Sequence, residues 1–149
     1  MRKKLWTVFL CPQDMFLPGF STTPAFCIIS IAMTRYHLVH MPSSQRIAVV
    51  MRADTWLSKG WGVLGRPCLP IGEGLWLPGV ASVHTVGVRF ALDLLFLDDK
   101  LRTLRVVQNL PPGRLLVQMP GAAHALELGA GTLALLKVTL GDGWRLERG

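Results

Sequence analysis

The stretch that decides the fold runs from Ser82 to Asp99 and reads SVHTVGVRFALDLLFLDD. Leu92–Leu97 is almost continuously apolar, short, and bounded by turn residues, which marks a core strand. Val83–Val88 is a second strand-like run. Asp98-Asp99-Lys100 supplies a turn, and Leu101–Val107 (LRTLRVV) returns as the hairpin partner. Its alternation puts Leu101, Thr103, Arg105 and Val107 on one face, and Arg102, Leu104 and Val106 on the other. Yet this apolar stretch also carries His84, Arg89 and Asp93, which are costly to bury unless paired or hydrogen-bonded.

On the N-terminal side, Ile47–Met51 (IAVVM) is a short β-type run. Asp54 or Thr55 can cap a short helix, with Trp56, Leu57, Val63 and Leu64 on one side. Gly60, Gly62 and Gly65 weaken that helix in isolation. The stretch PCLPIGEGLWLPG reads as a Pro/Gly loop around an apolar patch, Leu75–Leu77. On the C-terminal side, NLPPGR is a second turn. Leu115–Met119 and Ala123–Leu128 are short strands, and Gly129–Gly131 break the second. Thr132–Val138 fits a two-turn helix, and Gly141-Asp142-Gly143 turns into a last strand at Trp144–Leu146. The expected fold is mainly β (α+β): a small compact β-barrel or sandwich with two short helices.

The chain has 149 residues, half of them hydrophobic and 17% charged, enough for one domain with a real core. The formal net charge is +7. Residues 1–53 hold six Lys/Arg against Asp14, and residues 54–149 hold ten bases against eight acids, which gives +5 and +2. The body is therefore close to neutral, which argues against a nucleic-acid partner. Cys11, Cys27 and Cys68 are odd in number and widely spaced, with no CxxC pair. Reduced thiols in a cytoplasmic protein are expected from that pattern.

Residues 1–45 read as an N-terminal extension and 46–149 as a single mainly-β domain. MRKKLWTVFLCPQDM starts like a signal peptide, but its apolar run is short and no small-x-small cleavage site follows. Met15–Met33 carries no charge and is about long enough to span a bilayer. Pro18, Gly19 and Pro24 weaken it as a helix. Membrane contact through residues 1–33, with anchoring or export, is thus a second reading behind a poorly packed extension. A misassigned start, with Met33 or Met41 as the true one, is a third.

Several segments, GVLGRPCLPIGEGLWL, VHTVGVRFALDLLFLDD, VVQNLPP, AHALELGAGT and LGDGWRL, occur in that order. Together they resemble the bacterial and archaeal family catalogued as domain of unknown function 192, over about Arg46 to Glu147. Val88 stands where that family usually has Met, and Ala91 where it often has Pro. The resemblance implies a small β-rich fold and no particular reaction.

The candidate site gathers His84, Thr85, Arg89, Asp93 and Glu127. Arg89 and Asp93 are ~13 Å apart along a straight strand at about 3.3 Å per residue, so they meet only if the chain bends. Gly87 and Ala91 offer such a bend. One outcome is a buried Arg–carboxylate network that fixes strand register. Another is a cleft in which His84, Thr85 and Arg89 face a small anionic ligand, since arginine offers a planar fork to carboxylate or phosphate. A third is a hydrolase-like enzyme with His84 as general base, oriented by Asp93 or Glu127. It lacks a good nucleophile, because Thr85, next to His84, points to the opposite face of a strand and Cys68 sits in a loop; no GxSxG or Walker A motif occurs. His84, Asp93, His124 and Glu127 are metal-ligand types without metal-ligand spacing. No cofactor is expected. The preferred reading is a non-catalytic binding or accessory module. The tryptophans Trp6, Trp56, Trp61, Trp76 and Trp144 read mostly as aromatic core.

Overall fold

The computed structural model describes residues 34–54, 63–64 and 66–149. The strands there are β1 (Arg35–His40), β2 (Gln45–Arg52), β3 (Glu73–Pro78), β4 (Ser82–Val83), β5 (Leu92–Leu97), β6 (Thr103–Leu110), β7 (Val117–Gln118), β8 (His124–Gly129) and β9 (Trp144–Arg148). Seven form one sheet in the order β6-β5-β8-β3-β2-β1-β9, and β4 pairs with β7 in a small ribbon. Neighbours in the large sheet are antiparallel except β2 and β3, which run parallel. A parallel pair cannot be joined by a tight turn, so the chain from Ala53 to Gly72 serves as the crossover.

The sheet curls into a half-barrel whose two edge strands meet at one end. Arg102 bridges Gly143, the Trp144 amide donates to Leu101 O at 2.9 Å, and the Thr103 amide donates to Asp142 O at 2.9 Å. Inside the curl lie Leu38, Val50, Trp76, Leu95, Leu97, Leu126, Leu128 and Trp144. Leu75, Leu77, Leu94, Phe96 and Ala125 face the other way, packed with Val83 of β4 and Val117 of β7. Val63, Leu69 and Val88 cover Leu92. Strand β5 is therefore buried on both faces along its whole length. That explains its nearly unbroken apolar sequence, where a half-exposed strand would alternate.

The mainly-β expectation holds, but the short helix expected at Thr132–Val138 is not formed. Thr132–Val138 yields a single 3-10 turn at Leu133–Leu135, and Leu136 is already extended. The helix expected from Asp54 to Leu64 falls mostly outside the described residues, as do Trp6, Trp56 and Trp61 and the apolar stretch Met15–Met33. Among the described residues no helix is long and apolar enough to cross a membrane. Trp76 and Trp144 are buried in the core.

Three local readings change. Glu73–Pro78, taken as loop, is the central strand β3, because its backbone lies between β2 and β8. The run Val83–Val88 stops as a strand at Val83 and becomes a turn. In β6 a bulge falls between Thr103, opposite Leu97, and Arg105, opposite Phe96. An extra residue there resets the alternation. Thr103 consequently accepts a hydrogen bond from the buried Trp144 indole at 2.8 Å instead of sharing a face with Val107. The sheet also begins before Arg46, since β1 lies between β2 and β9. Cys68 is disulfide-bonded, contrary to the expectation of reduced thiols.

Candidate functional site

The five candidate residues divide among three places. Asp93 is fully buried on β5. Its Oδ1 accepts from the Asn109 amide at 2.9 Å, and its Oδ2 accepts from the Gly131 and Leu133 amides at 3.0 and 2.9 Å. A carboxylate with three backbone donors has its lone pairs occupied, and it fastens the end of β6 and the Gly129–Leu133 turn to β5. It faces the inner side of the sheet with Leu95 and Leu97, by strand alternation.

Glu127 stands on the opposite side. On β8 it lies between Leu75 of β3 and Leu94 of β5, both members of the outer cluster. It is 5% exposed, and no hydrogen bond reaches its Oε2. Burial pushes its carboxyl up to about 7, with the Arg66 charge pulling it down. Asp93 and Glu127 thus do not share a network, and the buried Arg–Asp–Glu cluster expected from sequence is not formed. Arg89 is exposed, and Arg66 is the cation that acts on Glu127. Arg66 was not among the sequence candidates; its position in a Pro-flanked loop gave no signal.

His84, Thr85 and Arg89 occupy a third place, a pair of turns beyond the β4–β7 ribbon. Thr85 is fully buried. Its carbonyl accepts from the Val88 amide at 3.2 Å, and Gly87 has φ +83°. That is the position of a type II turn requiring positive φ, which glycine supplies without strain. Pro111-Pro112-Gly113-Arg114 makes the second turn, with Gly113 at φ +80°. The Thr85 hydroxyl sits in its mouth, donating to Pro111 O at 2.9 Å and accepting from the Arg114 amide at 2.9 Å. The Thr85 amide donates to Arg114 O at 2.8 Å, and the Gly113 amide to Thr85 O at 2.8 Å. The backbones of both turns are locked together, while the side chains of His84, Arg89 and Arg114 are exposed.

No acid occurs between Val80 and Leu92 or between Leu104 and Leu126. Among the described residues no salt bridge holds His84, Arg89 or Arg114. Arg114 is the member that sequence reasoning missed, because only the Thr85 bonds bring residue 114 beside residue 85. Neither carboxylate orients His84: Asp93 is occupied by backbone donors and Glu127 lies within the sheet. The arrangement proposed for general-base catalysis is therefore absent at His84.

Two other histidines have fixed partners. His124 lies 3.4 Å from the Trp76 indole nitrogen, which donates to its Nδ1. Burial lowers its pKa, helped by the Arg52 charge, which stacks over Trp76 at 4.9 Å. His124 and Glu127 fall on opposite faces of β8, and no group of three metal-ligand side chains gathers among the described residues. His40 is buried, with Ser43 Oγ 2.8 Å from Nδ1 and Asp142 Oδ2 3.1 Å from Nε2. Ser, His and Asp also make catalytic triads. Here Ser43 belongs to the same tight turn as His40, and the ring packs on Trp144 at 4.8 Å. Thr139 donates to both Asp142 oxygens at 2.7 Å, which lowers the pKa of that carboxyl. The group ties the β1–β2 turn to the turn before β9.

The sequence model of the family described as uncharacterized ACR, domain of unknown function 192, matches residues 38–146. Two crystal structures share the fold. One, from Sinorhizobium meliloti, is provisionally described as a transcription regulator; it has a TM-score of 0.69 and 22% identity, over 80% of this chain and 98% of that one. The other, a protein of unknown function from Novosphingobium aromaticivorans, has a TM-score of 0.64 and 20% identity, over 85% and 99%. At such identities the likeness concerns the fold alone. No curated protein matches the chain.

Proposed function

From the premise that the chain belongs to the uncharacterized family of domain of unknown function 192, we propose that it is a non-catalytic binding or accessory module whose paired turns hold a small anionic ligand. The observation that carries this reading is the Thr85 clasp. It fixes two turns whose exposed side chains include His84, Arg89 and Arg114, with no acid in either segment. Arginine forks suit carboxylate and phosphate oxygens, and a backbone already held in place loses little freedom on binding. Asp93 and Glu127 belong to the supporting structure under this reading.

The test is titration of the full chain with inorganic phosphate, followed by amide chemical shifts. Saturable shifts at residues 84–89 and 113–115 are expected, weakened about tenfold in Arg89→Gln/Arg114→Gln, since each exposed ion contact contributes on the order of 1 kcal/mol or less. Shifts spread evenly over all surface arginines, and unaffected by the double variant, would dispose of the site.

A further inference from the structure

The cationic turns carry a second feature that a small solvated anion does not explain. Leu115 is 82% exposed and Leu116 60%, directly after Arg114, and Val86 at the tip of the facing turn is 45% exposed. Their backbone neighbours are held by the Thr85 bonds, so these apolar groups stand on a fixed platform. Exposure of this extent means that almost nothing of the protein covers Leu115. It is a protrusion, whereas a peptide-binding groove would wall its leucines in.

We propose that this face docks on an anionic lipid bilayer, with Leu115, Leu116 and Val86 entering the interfacial layer and His84, Arg89 and Arg114 on the headgroups. The proposal deepens the anion-binding reading and rests on it for the polar half of the contact. Charge complementarity selects the occupant: the two segments are basic without a single acid. The leucines select a bilayer over a free anion, because apolar side chains gain only where water is displaced by hydrocarbon, and stable attachment takes both signals. A soluble acidic polypeptide would satisfy the arginines and leave the leucines wet.

The experiment is co-sedimentation of the full chain with vesicles of phosphatidylcholine, with and without about one third phosphatidylglycerol, a fraction giving a strongly negative surface. Leu115→Ser/Leu116→Ser is compared with the native chain, and both are titrated with inorganic phosphate. Both positions are exposed, so the variant keeps the fold, which circular dichroism verifies. Expected is binding that needs phosphatidylglycerol and falls about tenfold or more in the double variant, from the loss of leucine burial, with phosphate affinity unchanged. Equal vesicle binding by the two chains overturns the bilayer proposal, because another part of the chain is then responsible. So does polyglutamate binding that needs Leu115 and Leu116 in the absence of vesicle binding, which points to an acidic protein partner. If phosphate leaves the amides of residues 84–89 and 113–115 unmoved, the underlying anion reading fails and takes the headgroup contact with it.

Discussion

The Thr85 hydroxyl lies 2.9 Å from the Arg114 amide, filling a turn that would otherwise close on itself through Pro111 O. A threonine distant in sequence thereby shapes the loop. Thr85→Val keeps the volume but removes the hydroxyl that bridges the Pro111 carbonyl and the Arg114 amide. Destabilisation of about 1–3 kcal/mol is expected by chemical denaturation, with Thr85→Ser retaining most of the native value. A valine variant as stable as the native chain would mean that the clasp does not hold the turns.

Asp93 anchors three backbone amides from two distant segments. Asp93→Ala leaves all three without that acceptor, the Leu133 amide in a fully buried position. The expected loss is ~3–5 kcal/mol, the range for removing one partner of a buried charged contact. Asp93→Asn retains one carbonyl oxygen but sets an amide group against the other donors, so it should recover only part of that loss. Thermal unfolding of the two variants checks the order.

Glu127 makes stability depend on pH in the direction opposite to a salt-bridged acid. Its folded pKa, about 7, lies above the ordinary 4.5. Between those values the folded chain holds a proton that the unfolded chain has released, so stability falls as pH rises through that window. The full effect is on the order of 3 kcal/mol, from about 1.4 kcal/mol per pH unit. Glu127→Gln is permanently neutral and nearly isosteric. It should match the native chain near pH 4 and exceed it above pH 7. Parallel stability curves for the two chains would show that the carboxyl is solvated.

Strand β1 supplies a further test. A chain beginning at Met41 would lose Arg35–His40, leaving β2 and β9 without their shared neighbour and removing Leu38 from the core. Leu38→Ala alone should cost ~2–5 kcal/mol. The shortened chain should show no cooperative unfolding transition by circular dichroism; a cooperative transition like that of the full chain would show that β1 is dispensable.

Much of the sheet was legible because its signals are local. Leu92–Leu97 is an apolar run between turn residues, and the Asp98–Lys100 turn carries its own mechanism: Asp98 Oδ1 accepts from the amides of Lys100 and Arg102 at 2.9 and 2.8 Å. Strand β3 was hidden because Gly74 and Pro78 lower its β-propensity, while its place comes from the partners on either side. The candidate residues were the right ones to question, since Asp93, Thr85 and Glu127 are all buried polar groups. Their grouping was not legible. Strand parity separates Asp93 from Glu127 only once the register β5–β8 is known, and Arg114 joins Thr85 only through bonds across a long loop.

The pairing of Tyr36–His40 with Trp144–Arg148 places the first strand of this sheet against the last. During synthesis, β1 can form its hairpin with β2 early, but its other edge stays bare until the final strand leaves the ribosome. Sheet completion is accordingly a late event, governed by contacts of the longest sequence separation. A nascent chain stalled short of Trp144 would display that bare edge, a template for pairing with other chains.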